Sequence, residues 1–80
     1  MDLILTRWMN LLKERMAPYT EQYVNGEMSH DHFVEIMANM SASLTGHPIA
    51  ATKLAAMTHY NMEQRGDLVR KPNMEVPRDV

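Results

Sequence analysis

The sequence contains no cysteine, and this absence excludes several kinds of site. A chain without thiols has no disulfide cross-link, no zinc–thiolate cluster and no cysteine nucleophile. Its longest apolar runs are roughly three or four residues, far short of the roughly 20 that cross a bilayer. The start of the chain carries Asp2 and no basic segment before an apolar core, so it does not indicate a secretory signal. We therefore expect a cytoplasmic protein without a membrane-spanning segment.

Neither charge of one sign nor a catalytic motif is concentrated anywhere in the chain. The formal net charge is −2 with both signs mixed, which gives no bias toward nucleic acid or anionic membrane. There is no glycine-rich phosphate loop, no nucleophile elbow and no pair of carboxylates on one predicted face. One domain of 80 residues also has little room for a shaped pocket. We expect no enzymatic activity, no cofactor and no small-molecule substrate.

The clearest pattern that is present is an amphipathic helix from Ser29 to Leu44. Its apolar residues recur at helical spacing along one face; they are Phe33, Ile36, Met37, Met40 and Leu44. Ser29 is predicted to be the N-cap, and Met28 is placed to pack on Phe33 as a hydrophobic staple. Gly46 can adopt the left-handed conformation that closes a helix. One helix cannot bury this stripe alone, so flanking segments must cover it.

The flanking segments predict two further helices. Residues 2–25 keep one apolar stripe across Pro18, which removes a helical hydrogen bond and predicts a kink. A break at Met16–Ala17 is the alternative. Residues 48–65 form an alanine-rich helix that starts with a proline, and residues 67–80 have no helical period. The predicted fold is therefore all-α: a three-helix domain over residues 1–66, with a kinked first helix and an extended or disordered C-terminal tail.

Two patterns bear on metal ions. Residues 25–33 resemble the second half of an EF-hand, but His32 stands where calcium needs a bidentate glutamate, so we expect no calcium site. Met28-x-His30 and Met57-x-His59 resemble the short methionine and histidine pairs that bind soft ions such as Cu(I). Such pairs usually occur in repeated, exported segments, so we assign no metal ligand here. Soft-metal binding is a third hypothesis for function.

The second and third helices, joined by Thr-Gly-His-Pro, could form a helix-turn-helix in which helix 48–65 reads DNA. The exposed donors of this helix would include Thr52, Lys53 and Arg65. That basic footprint is small beside the carboxylates of the chain, and phosphate neutralisation dominates such binding. We therefore keep a DNA-binding regulator as the alternative and expect no nucleic-acid partner.

The leading hypothesis is a small protein-binding module, such as an adaptor, an accessory subunit or an inhibitor. Nine methionines, together with tryptophan and tyrosine on broad helical faces, indicate more apolar surface than three short helices can cover. These residue types are enriched at protein interfaces. We expect the chain to dock on another protein or on itself, with a homodimer as the predicted state. The candidate contact residues are Trp8, Met9, Tyr23, Met57 and Tyr60.

Overall fold

A computed structural model describes residues 3–71, and three α-helices account for most of them. Helix α1 spans Leu3–Val24, α2 spans His30–Thr45 and α3 spans Pro48–Arg65. The described residues contain no strand, so the prediction of a small all-α domain with three helices is confirmed. Each helix begins and ends within one residue of its predicted bounds. The segment 72–80, which is most of the predicted tail, lies outside the described residues.

Helix α1 continues without interruption through Pro18. The alternative break at Met16–Ala17 is therefore absent, and the kink predicted at the proline is not shown. Pro18 is exposed on the helix surface, so its ring does not displace core side chains. The apolar stripe on both sides of Pro18 packs against the same core, with Leu12 and Met16 before it and Tyr23 after it. Tertiary packing thus holds the helix together where the local sequence weakens it.

Helices α1 and α3 run in the same direction. The Nζ of Lys13, near the middle of α1, donates a hydrogen bond to the side-chain oxygen of Asn61 on α3. Farther along both elements, the backbone N–H of Lys71 donates to the carbonyl of Val24 at 2.9 Å. Because a later position on α1 contacts a later position on the chain of α3 in each case, the two helices are parallel. The first turns of α1 and α3 consequently lie at the same end of the bundle.

Helix α2 runs antiparallel to α3 along its length. The ring of His30, at the start of α2, lies with its centroid 5.7 Å from that of His59, near the end of α3. Small side chains are buried on these two helices: Ser41 and Thr58 are 0% exposed, and Ala51 is 5% exposed. The hydroxyl of Thr58 donates to the carbonyl of Leu54 at 2.7 Å. Small buried residues allow the two backbones to approach closely.

The core is formed by one cluster of side chains from all three helices and the first interhelical turn. Phe33 is fully buried at its centre, and its ring stacks on that of Tyr23 with centroids 4.7 Å apart. Five of the nine methionines of the chain are buried in this cluster: Met9, Met16, Met28, Met37 and Met62. Flexible thioether side chains fill the irregular space between helices of unequal length. Most of the unusual methionine content is therefore used in packing.

The helix ends are stabilised largely as the sequence predicts. The Ser29 hydroxyl accepts a hydrogen bond from the backbone N–H of His32 at 3.1 Å, which confirms it as the N-cap of α2. Gly46 has φ of 66°, and its N–H donates to the carbonyl of Ala42. The N-cap of α3 is His47, whose Nδ1 accepts from the N–H of Ala50 at 3.4 Å. Histidine is not among the residues usually expected there, so the sequence did not indicate it.

The chain after α3 turns back onto the end of α1. The guanidinium of Arg70 donates to the carbonyls of Tyr23 and Met28, and it lies 4.4 Å from the centroid of the Tyr23 ring. Leu68 packs against the core. Residues 67–71, the first part of the predicted tail, therefore lie against the domain. Periodicity gave no indication of this because the contacts come from single side chains that reach backbone carbonyls.

Candidate docking surface

Apolar side chains are exposed at the end of the bundle where α1 and α3 begin. Ile4 on α1 is 64% exposed, and Ile49 on α3 is 69% exposed. Trp8 lies one turn after Ile4, is half-buried and packs against the core. Ile49 precedes Lys53 by four residues, so the two share one side of α3. We call this surface the Trp8 face and define it by Ile4, Leu5, Trp8, Leu11, Ile49, Ala50 and Lys53.

Two shallow grooves cross the Trp8 face. One has a volume of about 360 Å³ and lies between the start of α1, the end of α2 and the start of α3. Its lining residues are Ile4, Leu5, Trp8, Thr45, Ala50, Lys53 and Leu54. The other has a volume of about 480 Å³ and is lined by Ile4, Arg7, Trp8 and Leu11. Ile4 and Trp8 line both grooves, so their side chains lie between the two.

Among residues 3–71, the charged groups at this end are all basic. Residues 3–13 and 36–58 contain Arg7, Lys13 and Lys53 but neither aspartate nor glutamate. Arg7 lines one groove and Lys53 lines the other. The first turns of α1 and α3, whose backbone dipoles are positive there, also lie at this end. The described carboxylates all lie in residues 14–35 and 63–67, toward the opposite end. Asp2 lies outside the described residues.

The five contact residues predicted from the sequence are distributed over different parts of the domain. Trp8 lies on the face that bears its name. Met9 and Tyr23 are only 9% and 8% exposed and belong to the core. Met57 is half-buried on α3, and Tyr60 is 64% exposed but lies beyond the grooves, toward the other end of α3. The structure therefore brings none of the other four to the grooves beside Trp8.

The residues that accompany Trp8 were not among the contact residues predicted from the sequence. Ile4 flanks the predicted stripe of α1, and Ile49 opens the least regular of the three helices. A signal was available in both cases, because each is a large apolar residue close to a helix start. Residues in a first turn have few partners within their own helix. Their exposure depends on where the neighbouring helices end, which periodicity does not reveal.

Aromatic and imidazole rings form a second cluster at the opposite end of the bundle. The ring of His30 lies between those of Tyr23 and His59, with centroid distances of 6.1 and 5.7 Å. The Nδ1 of His59 is 3.9 Å from a carboxylate oxygen of Glu63, and its buried Nε2 has no hydrogen-bond partner among residues 3–71. The sequence placed the two histidines in separate methionine pairs. It is the antiparallel packing of α2 and α3 that brings them together.

This ring cluster is not a metal centre of ordinary composition. Across residues 3–71, no three or more side chains of histidine, cysteine, aspartate or glutamate are grouped so that they could hold a metal ion. His30 and His59 supply a pair of imidazoles, whereas structural and catalytic zinc sites use three or four protein ligands.

The arrangement of α2 and α3 also differs from a helix-turn-helix. In that motif the two helices cross at roughly 90–120°. Here the contact between His30 and His59 joins the start of α2 to the far part of α3, although 15 residues separate His30 from the Gly46-His47 turn and 11 separate His59 from it. Helices that crossed steeply at the turn would have diverged by then. The pair is instead an antiparallel hairpin that packs on α1.

Comparison with protein-family models, with curated proteins and with solved structures finds no match to this chain. Among the described residues, no helix combines the length and apolar character that crossing a membrane requires.

Proposed function

We propose that this protein is a small protein-binding module that docks a helix of another protein on its Trp8 face. The observation that carries this proposal is the position of Ile4 and Trp8 between two grooves at one end of the bundle. Tryptophan is among the residues that contribute most to binding when a partner buries it. A half-buried tryptophan beside an isoleucine that is 64% exposed can be covered further without unfolding the domain.

A helix suits this surface better than an extended strand. Residues 3–71 contain no strand and hence no sheet edge for a partner strand to extend. The grooves follow α1 from Ile4 to Leu11, a rise of about 10 Å, or roughly two helical turns. Helix-in-groove recognition uses apolar side chains at i, i+3 or i+4, and i+7, which span the same distance. Leu5 and Leu54 contribute apolar side chains to the lining of the smaller groove.

The DNA-binding alternative has less support. It required α2 and α3 to cross as in a helix-turn-helix, whereas they pack as an antiparallel hairpin. It also required a basic α3, and this helix carries Lys53 and Arg65 with Glu63 beside the latter. Phosphate contacts would have to come from those two groups and from Arg70 and Lys71, which follow the helix. This is fewer than the six to ten contacts that give strong DNA binding.

The experiment is a display selection of helical peptides against the folded protein, repeated against two variants. Ile49→Glu places a carboxylate on the Trp8 face, and its position in the first turn of α3 favours an acidic residue. Tyr60→Glu is the matched control, since Tyr60 is similarly exposed on the same helix but lies about 16 Å farther along it, away from the Trp8 face. We expect the selected peptides to lose at least tenfold in affinity for Ile49→Glu and to bind Tyr60→Glu normally.

Light scattering over a concentration series separates docking of a partner from self-association. We expect a monomer whose Trp8 fluorescence changes when a selected peptide is added; the signal is specific because the chain has one tryptophan. A dimer that Ile49→Glu converts to a monomer would instead assign the face to a second copy of the chain. Peptides that bind Ile49→Glu and wild type equally, with both variants folded, would refute the proposal.

A further inference from the structure

Starting from the proposed function, we infer that the segment which docks on the Trp8 face is acidic: an apolar helical stripe flanked on both sides by aspartate or glutamate. The juxtaposition that carries this inference is an exposed basic side chain in each groove. Arg7 lines one groove and Lys53 lines the other, with Ile4 and Trp8 between them. A helix whose apolar side chains cover Ile4 and Trp8 presents its flanking residues to these two cations.

The basic character of this end is not cancelled within the described part of the chain. Arg7 and Lys53 lie in residues 3–13 and 36–58, two stretches of the chain that contain no aspartate or glutamate. The described salt bridges involve other groups: His30 with Asp31, His59 with Glu63, and Arg65 with Asp67. The first turns of α1 and α3 add two positive helix ends to the same region. A partner with carboxylates at the rim therefore meets a complementary potential.

The same charges disfavour a second copy of this chain as the occupant. A two-fold interface places the same patch on both sides, so Arg7 and Lys53 of one copy approach those of the other. Like charges across an interface oppose association when they lie within the Debye length, which is about 8 Å at physiological ionic strength. A partner that lacks acidic residues also leaves both cations without a counter-charge at the rim.

An anionic membrane is a weaker match than an acidic helix. Basic amphipathic helices bind membranes by laying a continuous apolar face along the interface. Here the surface is an end of a bundle with two concave grooves, which side chains can fill and a lipid surface cannot. Two cations also provide little attraction, because each contributes only about tenfold or less in affinity near an anionic leaflet. Vesicles therefore serve as a competing outcome in the test.

The experiment determines the amino-acid composition of the selected peptides and then reverses the charges of Arg7 and Lys53. We expect aspartate and glutamate to be enriched at positions flanking the apolar stripe. Arg7→Glu combined with Lys53→Glu should lower the affinity of these peptides about tenfold and enrich lysine and arginine in a new selection. Both side chains are exposed on the helix surface, where substitutions usually change stability little, so the variant should fold. Arg15→Glu combined with Lys71→Glu changes the net charge equally and should have little effect.

The outcomes separate this inference from the proposed function. Peptides that need the Trp8 face but show no acidic enrichment, or that bind the charge-reversed variant unchanged, would overturn the inference and leave the docking function standing. An absence of any peptide that depends on Ile49 would overturn both. The protein could also sediment with phosphatidylglycerol vesicles but not with phosphatidylcholine vesicles. If the Arg7 and Lys53 variant lost that sedimentation, the surface would be reassigned to a membrane and the acidic-helix inference would be overturned.

Discussion

Ser41 offers a sharp test of how polar groups are accommodated in this small core. Its side chain is 0% exposed, and its hydroxyl has no hydrogen-bond partner among the described residues. A nearby hydroxyl, that of Thr45, donates to the backbone carbonyl of Ser41 rather than to its side chain. Thr58, which is equally buried, donates to a carbonyl at 2.7 Å. We therefore predict that Ser41→Ala stabilises the protein.

The expected gain in the free energy of unfolding is the sum of two favourable contributions and one unfavourable contribution. Removing a buried hydroxyl that lacks a partner recovers about 1–3 kcal/mol of desolvation free energy. Replacing serine by alanine within a helix adds about 0.5 kcal/mol of intrinsic propensity. The void left by one oxygen atom costs about 0.3 kcal/mol at the usual rate for cavities. The net gain is then about 1–3 kcal/mol, which for a domain of this size raises the unfolding midpoint by at least about 4 °C.

Ser43→Ala is the matched control, because Ser43 lies on the same helix but is exposed. It should gain only the propensity difference of about 0.5 kcal/mol. The assay is urea unfolding followed by circular dichroism, with thermal melts in parallel. If Ser41→Ala is no more stable than Ser43→Ala, the buried hydroxyl must be satisfied in solution and the reasoning fails.

Two other substitutions test how the ends and the middle of α1 are held. Arg70→Ala should lower the free energy of unfolding by about 1–2 kcal/mol in urea titrations, because it removes partly exposed hydrogen bonds to the carbonyls of Tyr23 and Met28 and the contact with the Tyr23 ring. Arg65→Ala is the control, since it loses only an exposed ion pair with Asp67 and should change the free energy of unfolding by less than about 0.5 kcal/mol. If Arg70→Ala and Arg65→Ala change the free energy of unfolding equally, the role given to Arg70 is contradicted. Pro18→Ala should stabilise the protein by about 1–2 kcal/mol in calorimetric melts, since Pro18 is exposed inside a continuous helix and alanine restores the missing backbone donor. A loss of stability in Pro18→Ala would mean that the proline fixes a bend on which the packing of α1 depends.

The bounds of α2 and α3 could be predicted because the ends of these helices carry local chemical signals. Ser29 supplies an N-cap, Gly46 and Gly66 adopt the left-handed conformation, and Pro48 opens a helix. These effects act within about one turn, so they can be read without knowledge of the fold. The periodic stripe of α2 likewise predicts that Phe33 and Met37 are buried, and both are.

The buried side of α1 was harder to predict because its apolar arc is broad. Trp8 and Met9 are adjacent, point about 100° apart on a helix and both belong to this arc. Only the positions of α2 and α3 decide that Met9 enters the core while Trp8 stays half-buried. Tyr23 is similar, since its ring is enclosed by Phe33 and by Arg70 from beyond the third helix. Such contacts depend on helix directions that no single stripe specifies.

The parallel course of α1 and α3 has a practical consequence for how this protein can be attached to something else. Lys71 bonds to Val24, at one end of α1, whereas Ile4 lies at the other, about 30 Å away along the helix. A surface, dye or fused group joined to the side chain of Lys71 is therefore held far from the Trp8 face. The same addition at the N-terminal side would stand beside the grooves and compete with a docked helix. The Trp8 face and Lys71 thus lie at opposite ends of the described part of the domain.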